Sequence, residues 1–258
     1  MKSVVFPDKR LEAVVREAVG KAEGPLTKDV LEGLRQLHET FDLHGIPPTP
    51  PSIKSLAGLE HCLNLTECTL SGHHLDDLTP LAGLTQLTSL DLSESELPHL
   101  TPLAGLPKLT TLDLSNISLP DLTSLAGLTQ LTTLKLGVER LFLHPLNNGE
   151  TDSEKFTDLT PLADLTQLTT LHLSGPITDL APLANLPQLT TLYLHPYPEI
   201  KDLTPLASLT NLTELSLTDW GDISDLTPLA SLTQLTTFEL NTKNTDLTSL
   251  AGLPQLTS

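Results

Sequence analysis

The chain has 258 residues and carries a formal net charge of −18, from 14 Lys and Arg against 32 Asp and Glu. Such an acidic balance argues against a nucleic-acid partner, because phosphate binding needs clustered basic side chains. No apolar run is long enough to cross a membrane, so we expect no membrane insertion. The first residues lack the apolar core of a signal peptide, which predicts a cytoplasmic protein, or a secreted one only if the true N-terminus is missing.

The chain opens with a segment of helical character, residues 1–45. Apolar side chains recur there at helical spacing and would line one face of a helix: Leu11, Val14, Val15, Ala18 and Val19. We expect this face to cover the region that follows. Residues 46–52 are rich in proline, and such a stretch is stiff and extended because each ring fixes a backbone dihedral angle. They predict a joint between the two regions.

The rest of the chain, residues 53–258, is built from copies of one phrase. After a degenerate first copy from Ile53, the copies begin about 22 residues apart, at Asp77, His99, Asp121, Asp158, Asp179, Asp202, Asp225 and Asp246. The phrase contains Leu-x-x-Leu-x-Leu, and this motif at this period is the signature of leucine-rich repeats. The sequence therefore predicts about eight and a half repeats, each of which buries its leucines only by stacking on its neighbours.

One copy is enough to predict the architecture. Leu90 and Leu92 alternate with polar residues, as in a strand with one buried face. The return limb carries leucines at helical spacing, and Thr79 before Pro80 suits the N-cap and first position of a short helical turn. We predict an α/β solenoid. It is a leucine-rich-repeat right-handed superhelix with a curved parallel β-sheet on its concave face, short helical or 3-10 turns on its convex face, and an α-helical N-terminal cap.

The array resembles the bacterial leucine-rich repeats of the internalin type. The likeness extends upstream, where Phe6-Pro7-Asp8 and Gly24-Pro25-Leu26-Thr27 are similar to the helical cap that precedes such arrays. The resemblance implies the fold and binding through the concave face. One position departs from the family. Three residues after the last strand leucine of each copy, the family usually has an Asn whose amide joins the backbone of adjacent turns. In successive copies of this chain that column contains His73, Ser95, Ile117, Glu139, Pro176, Tyr197, Trp220 and Lys243. Backbone groups there need other partners, so we expect less regular turns on that edge.

Two further features interrupt the pattern. The step from Asp121 to Asp158 contains an insertion at about residues 140–156, which must loop out since the neighbouring copies keep their register. Such loops are often functional, and a neutral insertion is an equally good interpretation. The last copy stops partway, without the polar cap that closes most repeat arrays. This leaves open a longer natural chain and also end-to-end self-association through the uncapped repeat.

Strand alternation places one side chain of each copy at the centre of the concave face. Most of that face is hydroxyl and carboxylate, whereas both tyrosines, the single tryptophan and two histidines fall in three consecutive copies. Aromatic residues are enriched at binding hot spots, so we predict a partner-binding surface of Asp91, Asp113, Lys135, His172, Tyr193, His195, Tyr197, Trp220 and Glu239. For Tyr197 and Trp220 the alternative is that they fill the column that lacks Asn and pack the turn beneath.

The remaining polar residues point to structural roles. The Asp that opens most copies suggests hydrogen bonding to the backbone of a turn, so the acidic charge favours a basic partner only slightly. His73 and His74 fit a solvated turn better than a metal site, and Cys68 occupies a strand leucine position, which predicts a buried apolar role. The sequence contains no catalytic motif and no phosphate-binding loop. We predict no catalytic residues, no metal and no cofactor.

These features favour a non-catalytic scaffold that binds a protein or peptide partner of unknown identity. A second hypothesis is carbohydrate recognition, in which the aromatic side chains would act as platforms beside Asp, Ser and Thr. A third hypothesis, motivated by the uncapped last repeat, makes the array the sensor or recognition segment of a longer multidomain protein.

Overall fold

The computed structural model describes residues 2–40, 52–97, 99–137, 156–196, 200–218, 223, 225–240 and 247–256. The chain divides into two compact units, Met1–Ile117 and Ser118–Ser258. Within each unit, parallel strands follow one another in chain order, with short 3-10 turns between them. The predicted leucine-rich-repeat architecture is confirmed in both units.

In the described residues of the first unit there are two helices and four parallel strands. In chain order they are α1 (Lys9–Ala18), α2 (Lys28–Leu31), β1 (Gln36–Thr40), β2 (Glu67–Ser71), β3 (Ser89–Asp91) and β4 (Thr111–Ser115). Strand β1 lies in the region predicted to be a helical cap, and it pairs in parallel with β2, with Gln36 opposite Glu67. The sheet of this unit therefore starts before the first predicted repeat. The bounds predicted for the cap and the joint stay predictions.

Helix α1 packs against β1 with the apolar face that its sequence predicts. Leu11, Val14 and Val15 are buried there, whereas Ala18 is exposed and Val19 is half-buried. The prediction of a buried stripe is wrong for these last two residues because the helix ends at that point.

In the described residues of the second unit there are five parallel strands. They are β5 (Thr133–Gly137), β6 (Thr170–Gly175), β7 (Thr191–Pro196), β8 (Glu214–Leu217) and β9 (Thr237–Leu240). Each pairs with the next along the chain. The 3-10 turns within its described residues are Thr123–Leu125, Thr160–Leu162, Ala181–Asn185, Thr204–Ser208, Thr227–Ser231 and Thr248–Leu250. Most leucines of the strands and turns are fully buried, so the repeated leucine pattern supplies the core.

The recurring Asp caps the start of the return limb. Oδ1 of Asp77 accepts a hydrogen bond from the backbone N of Thr79 at 2.8 Å and another from its hydroxyl at 2.6 Å. The same 2.8 Å backbone bond recurs at Asp121, Asp158, Asp179, Asp202 and Asp225. The predicted backbone role of these carboxylates is confirmed. The prediction that Thr79 is the N-cap is wrong, because Thr79 is the first residue of the turn Thr79–Leu81.

Threonine hydroxyls join successive repeats in a way that the leucine pattern does not reveal. The hydroxyl of Thr190 donates to the carbonyl oxygen of Thr169 at 3.1 Å, and that same oxygen accepts the backbone N–H of Thr190 at 2.9 Å. The equivalent hydroxyl bond to the preceding repeat or to the strand β1 region is made by Thr66, Thr88, Thr110, Thr169, Thr213 and Thr236. Each of these threonines therefore ties its rung to the previous one by backbone and side chain together.

The column that lacks Asn uses other side chains for its hydrogen bonds in the first unit. Nδ1 of His73 accepts from the backbone N of Ile53 at 3.3 Å. The hydroxyl of Ser95 accepts from the backbone N of His73 at 3.1 Å and donates to the carbonyl oxygen of Leu70 at 3.1 Å. His73 is 1% exposed, so the prediction that it is solvated is wrong, whereas its neighbour His74 is half-exposed. The burial follows from these contacts, which draw the imidazole between adjacent turns.

We expect His73 to make the stability of the first unit depend on pH. Burial, together with the charges of Arg10 and His74, lowers the pKa of His73 from 6.5 to about 4, and only Asp8 opposes the change. Between those values the unfolded chain binds a proton that the folded chain does not. The free energy of unfolding should therefore fall by about 2–3 kcal/mol as the pH drops from about 7 to about 4. Urea denaturation across this range measures the change.

The control for this effect is His73→Asn, which retains an acceptor but does not titrate. All other titrating groups are common to both chains, so the difference between their pH profiles isolates the imidazole. We expect the variant to lose less stability on acidification. Parallel profiles in the two chains would contradict the assignment.

Candidate functional site

Strands β5–β9 carry one row of side chains along the middle of their outward face. Its members lie directly opposite one another in neighbouring strands: Lys135, His172, Tyr193, Ser216 and Glu239. We call them the central row. Tyr193 lies between Leu192 and Leu194, which are both fully buried, and successive side chains of a strand point to opposite faces. The predicted outward orientation of Tyr193 is confirmed.

His172 and Tyr193 form a stacked pair within the central row. Their ring centroids are 4.2 Å apart and their planes meet at 27°, while both residues stay partly exposed. Neighbouring strands lie about 4.8 Å apart, so the two rings stack in the direction that runs from one strand to the next. The rings therefore turn their edges towards solvent, and one face of Tyr193 is covered by His172.

The polar end of Tyr193 is also fixed. Its hydroxyl donates a short hydrogen bond to Oε1 of Glu214, which lies on β8 opposite Thr191. This hydrogen bond, followed by burial and by the charges of Glu214 and Glu239, raises the pKa of Tyr193 to about 12. The Tyr193 hydroxyl therefore stays protonated at neutral pH and is the hydrogen-bond donor to Glu214. The sequence-based prediction omits Glu214, although its outward position on the adjacent strand allows this diagonal contact.

A second hydroxyl holds the other carboxylate of this surface. Ser216 donates to Oε2 of Glu239 at 2.9 Å, and Ser216 is only 2% exposed while Glu239 is exposed. Glu214 and Glu239 are therefore both oriented by hydroxyl donors. The central row runs from a basic residue, Lys135, on β5 to an acidic residue on β9.

The other described candidates lie apart from the aromatic pair. His195 is half-buried on β7, in the outward row next to the central row. Asp91 and Asp113 belong to the first unit, where they lie opposite one another on β3 and β4. Oδ1 of Asp91 accepts from the backbone N of Ser93 at 2.9 Å, and Oδ1 of Asp113 accepts from that of Ser115 at 3.0 Å. Both carboxylates therefore help to order the end of their own strand.

Two candidate residues, Tyr197 and Trp220, lie outside the described residues, as do positions 140–155 of the predicted insertion. For both side chains the two alternatives, exposure on the binding face and packing beneath the turn, stay open as predictions. Phe156, at the end of the insertion, is described and is 3% exposed, so the chain has rejoined the core by that residue.

In the described part of the chain, no group of three or more His, Cys, Asp or Glu side chains could hold a metal ion. Cys62 and Cys68 are buried, and burial raises the pKa of each thiol to about 12, which makes both poor nucleophiles at neutral pH. The buried apolar role predicted for Cys68 is confirmed. Across the same described ranges, every helix is too short or too polar to span a membrane.

Known proteins share both the repeats and the fold. A family model of leucine-rich repeats in two copies matches residues 166–208. The crystal structure of internalin C2 from Listeria monocytogenes has a TM-score of 0.76 and 33% identity, covering 93% of this chain and 100% of that chain. The crystal structure of the internalin InlF from the same species has a TM-score of 0.82 and 31% identity, covering 98% of this chain and 68% of that chain. The chain belongs to the internalin family.

This internalin-family protein also shares its fold with a leucine-rich-repeat protein of Leptospira interrogans. That structure has a TM-score of 0.69 and 19% identity, covering 89% of this chain and 55% of that chain. No curated protein sequence matches the internalin-family chain. The resemblance to internalins and the leucine-rich-repeat solenoid, both predicted from the repeats, are confirmed. The stack of His172 and Tyr193 lies within the residues that the family model matches.

Proposed function

We propose that this internalin-family protein is a non-catalytic module that binds a protein or peptide partner across the outward face of strands β5–β9. The leucine-rich-repeat fold is in general a protein-interaction module, because stacked repeats offer an extended open surface. The observation that carries the proposal is the stack of His172 and Tyr193 on that face. Rings that stay partly in water can bury further apolar area against a partner, and this burial favours association.

The setting of Tyr193 supports a role as a binding hot spot. The ring is held by its stack and the hydroxyl by Glu214, so little rotamer freedom is left to lose when a partner binds. Glu214 at the hydroxyl, and Glu239 two strands away in the central row, add polar groups to this face, as in the rim of a protein interface.

Location and oligomeric state remain predictions. Fractionation of the native cell tests the predicted cytoplasmic location. Light scattering over a range of protein concentrations tests end-to-end self-association, which should appear as an average mass that rises with concentration.

Tyr193→Ala should weaken binding of a natural partner by at least about tenfold, since truncation of a hot-spot aromatic residue removes a large part of the binding energy. The partner is captured with the immobilised wild-type chain, identified, and produced separately. Calorimetry then gives its dissociation constant for each variant. Tyr193→Phe keeps the ring and should bind more tightly than Tyr193→Ala.

The matched control is Gln167→Ala, which truncates an exposed side chain in the turn before β6. We expect this variant to bind like the wild-type chain. Thermal denaturation verifies that every variant is folded. A folded Tyr193→Ala chain with wild-type affinity would contradict the proposed surface.

A further inference from the structure

Two titratable side chains hold the start of the first repeat, where helix α1 meets it. Three consecutive backbone N–H groups of this repeat donate to them. The N–H of Ile53 donates to Nδ1 of His73 at 3.3 Å. The N–H groups of Lys54 and Ser55 donate to Oδ2 of Asp8 at 2.8 and 3.3 Å. We call these three residues, together with the two acceptors, the 53–55 junction.

The junction also binds helix α1, because Asp8 is the N-cap of that helix. Its other oxygen, Oδ1, accepts from the backbone N of Arg10 at 2.9 Å and from that of Leu11 at 3.1 Å. The side chain of Arg10 in turn donates from Nε to Oε1 of Glu39 on β1 at 2.8 Å. Helix α1 therefore cannot leave the first repeat unless the bonds that Asp8 makes across the junction break.

The hydrogen bond from Ile53 requires a neutral imidazole. A neutral ring accepts at one nitrogen, whereas a protonated ring is a donor at both. Protonation of His73 would set two donors against each other at a side chain that is 1% exposed. Burial disfavours the charged ring most, and the charges of Arg10 and His74 add to this effect, whereas Asp8 opposes it. The closed junction is therefore a poor site for a proton.

We propose that the 53–55 junction is an acid-sensitive switch, in which protonation of His73 releases helix α1 from the first repeat while the strands of that unit stay folded. A proton binds better once the junction is open, so acid favours the open form. Opening exposes Leu11 and Val15, which are fully buried in the closed form. Acidification thereby gives the first unit an apolar surface that is covered at neutral pH. The inference does not depend on the proposed binding face, which belongs to the second unit.

The position of α1 in the fold explains why the release is local. Each repeat of a solenoid contacts only its neighbours, so an element at the end of the array can open while the others stay folded. The strands that follow are held to one another by backbone ladders and by threonine hydroxyls. Helix α1 has 10 residues, too few to be stable in water by itself. Its amide protons therefore exchange with solvent once it leaves the repeat.

Hydrogen exchange of the full wild-type chain, followed by mass spectrometry and corrected for the intrinsic effect of pH on exchange, tests the proposal. The pKa of His73 is about 4 in the closed form and 6.5 is its ordinary value. One proton is therefore taken up on opening, and the opening constant of α1 should rise about fiftyfold from pH 7 to about pH 4.5. At that pH it should exceed the opening constant of strand β4 at least about tenfold. Return to pH 7 should restore the protection of α1.

Two histidine variants identify the group that binds the proton. His73→Asn keeps an acceptor for the N–H of Ile53 but does not titrate, so its α1 opening should rise less than about fivefold over the same pH range. His74→Asn is the matched control, because this neighbouring side chain is half-exposed and pairs with Glu96 at 2.8 Å. We expect it to respond like the wild-type chain.

Three results would overturn the proposal. Equal opening constants of α1 and β4 at pH 4.5 would mean that acid unfolds the unit as a whole. An α1 opening constant that does not change with pH in the wild-type chain would exclude the switch, and this measurement involves no substitution that could disturb folding. A folded His73→Asn chain with the wild-type response would assign the proton to another group.

Discussion

Replacing Gly137 with alanine should lower the free energy of unfolding by about 3 kcal/mol or more. Gly137 ends strand β5 with a φ of +98°, a conformation that is strained for any residue with a side chain. A Cβ atom at this position would lie 1.7 Å from the carbonyl oxygen of Ser174 and 2.7 Å from its nitrogen. These are backbone atoms of the paired strand, so relief requires the two strands to separate. Urea denaturation followed by circular dichroism measures the loss.

The matched control is Gly83→Ala in a turn of the first unit. A Cβ atom at Gly83 meets no other atom within 4 Å, so we expect a change of at most about 0.5 kcal/mol, in the stabilising direction because alanine restricts the unfolded chain. Equal midpoints for the two variants would show that the approach of Gly137 to Ser174 does not limit the packing of β5.

Asp8→Ala should lower the free energy of unfolding by about 3 kcal/mol. Oδ1 of Asp8 accepts from the backbone N atoms of Arg10 at 2.9 Å and Leu11 at 3.1 Å, which caps helix α1. Oδ2 accepts from the backbone N atoms of Lys54 at 2.8 Å and Ser55 at 3.3 Å. The estimate combines about 1 kcal/mol for a lost N-cap with about 2 kcal/mol for charge-assisted bonds to the first repeat. Chemical denaturation and hydrogen exchange in α1 both report the effect.

The control for Asp8 is Asp77→Ala, which removes a cap of the same chemistry from one exposed turn. Among the described residues, the side chain of Asp77 bonds only Thr79, two residues away, so we expect a clearly smaller loss of stability. A loss as large as that of Asp8→Ala would mean that the link to Lys54 and Ser55 contributes little.

Asp8 should also contribute to acid sensitivity. Burial alone would raise the pKa of this carboxyl, but the backbone N–H groups of Lys54, Leu11, Ser55 and Arg10 outweigh that effect and lower the pKa. Folding therefore favours the ionised form, and the stabilisation is present above about pH 4 and lost as the pH falls further. This pH range lies below the range in which His73 is expected to act. The pH dependence of stability therefore distinguishes Asp8→Ala from His73→Asn.

The candidate surface was predictable to the level of strand alternation. Tyr193 is on the outward face because it lies between two buried leucines, and His172 is opposite it because both copies keep the same phase. The stack between their rings depends on side-chain rotamers, which a repeat pattern does not specify. The hydrogen bond from Tyr193 to Glu214 also depends on side-chain rotamers. It joins two residues that are 21 positions apart in the chain.

His73 illustrates a different gap between pattern and structure. Its column was identified because the family's usual Asn is missing, but a histidine in a turn favours a solvated position. The buried state arises because Ile53 and Ser95, each from a neighbouring repeat, meet its polar groups. These contacts exist only when three turns are stacked, so no single repeat could reveal them.

The residue pattern alone predicts the repeat, its period, the identity of the buried leucines and the parity of the outward rows. These follow from local geometry, since a strand alternates its side chains and a solenoid repeats its phase. Four features become visible only in the folded chain: β1 extends the sheet, threonine hydroxyls link the rungs, His73 is buried and Tyr193 bonds Glu214. Each of these depends on the distance between groups remote in the chain, and burial and hydrogen bonding change steeply with that distance.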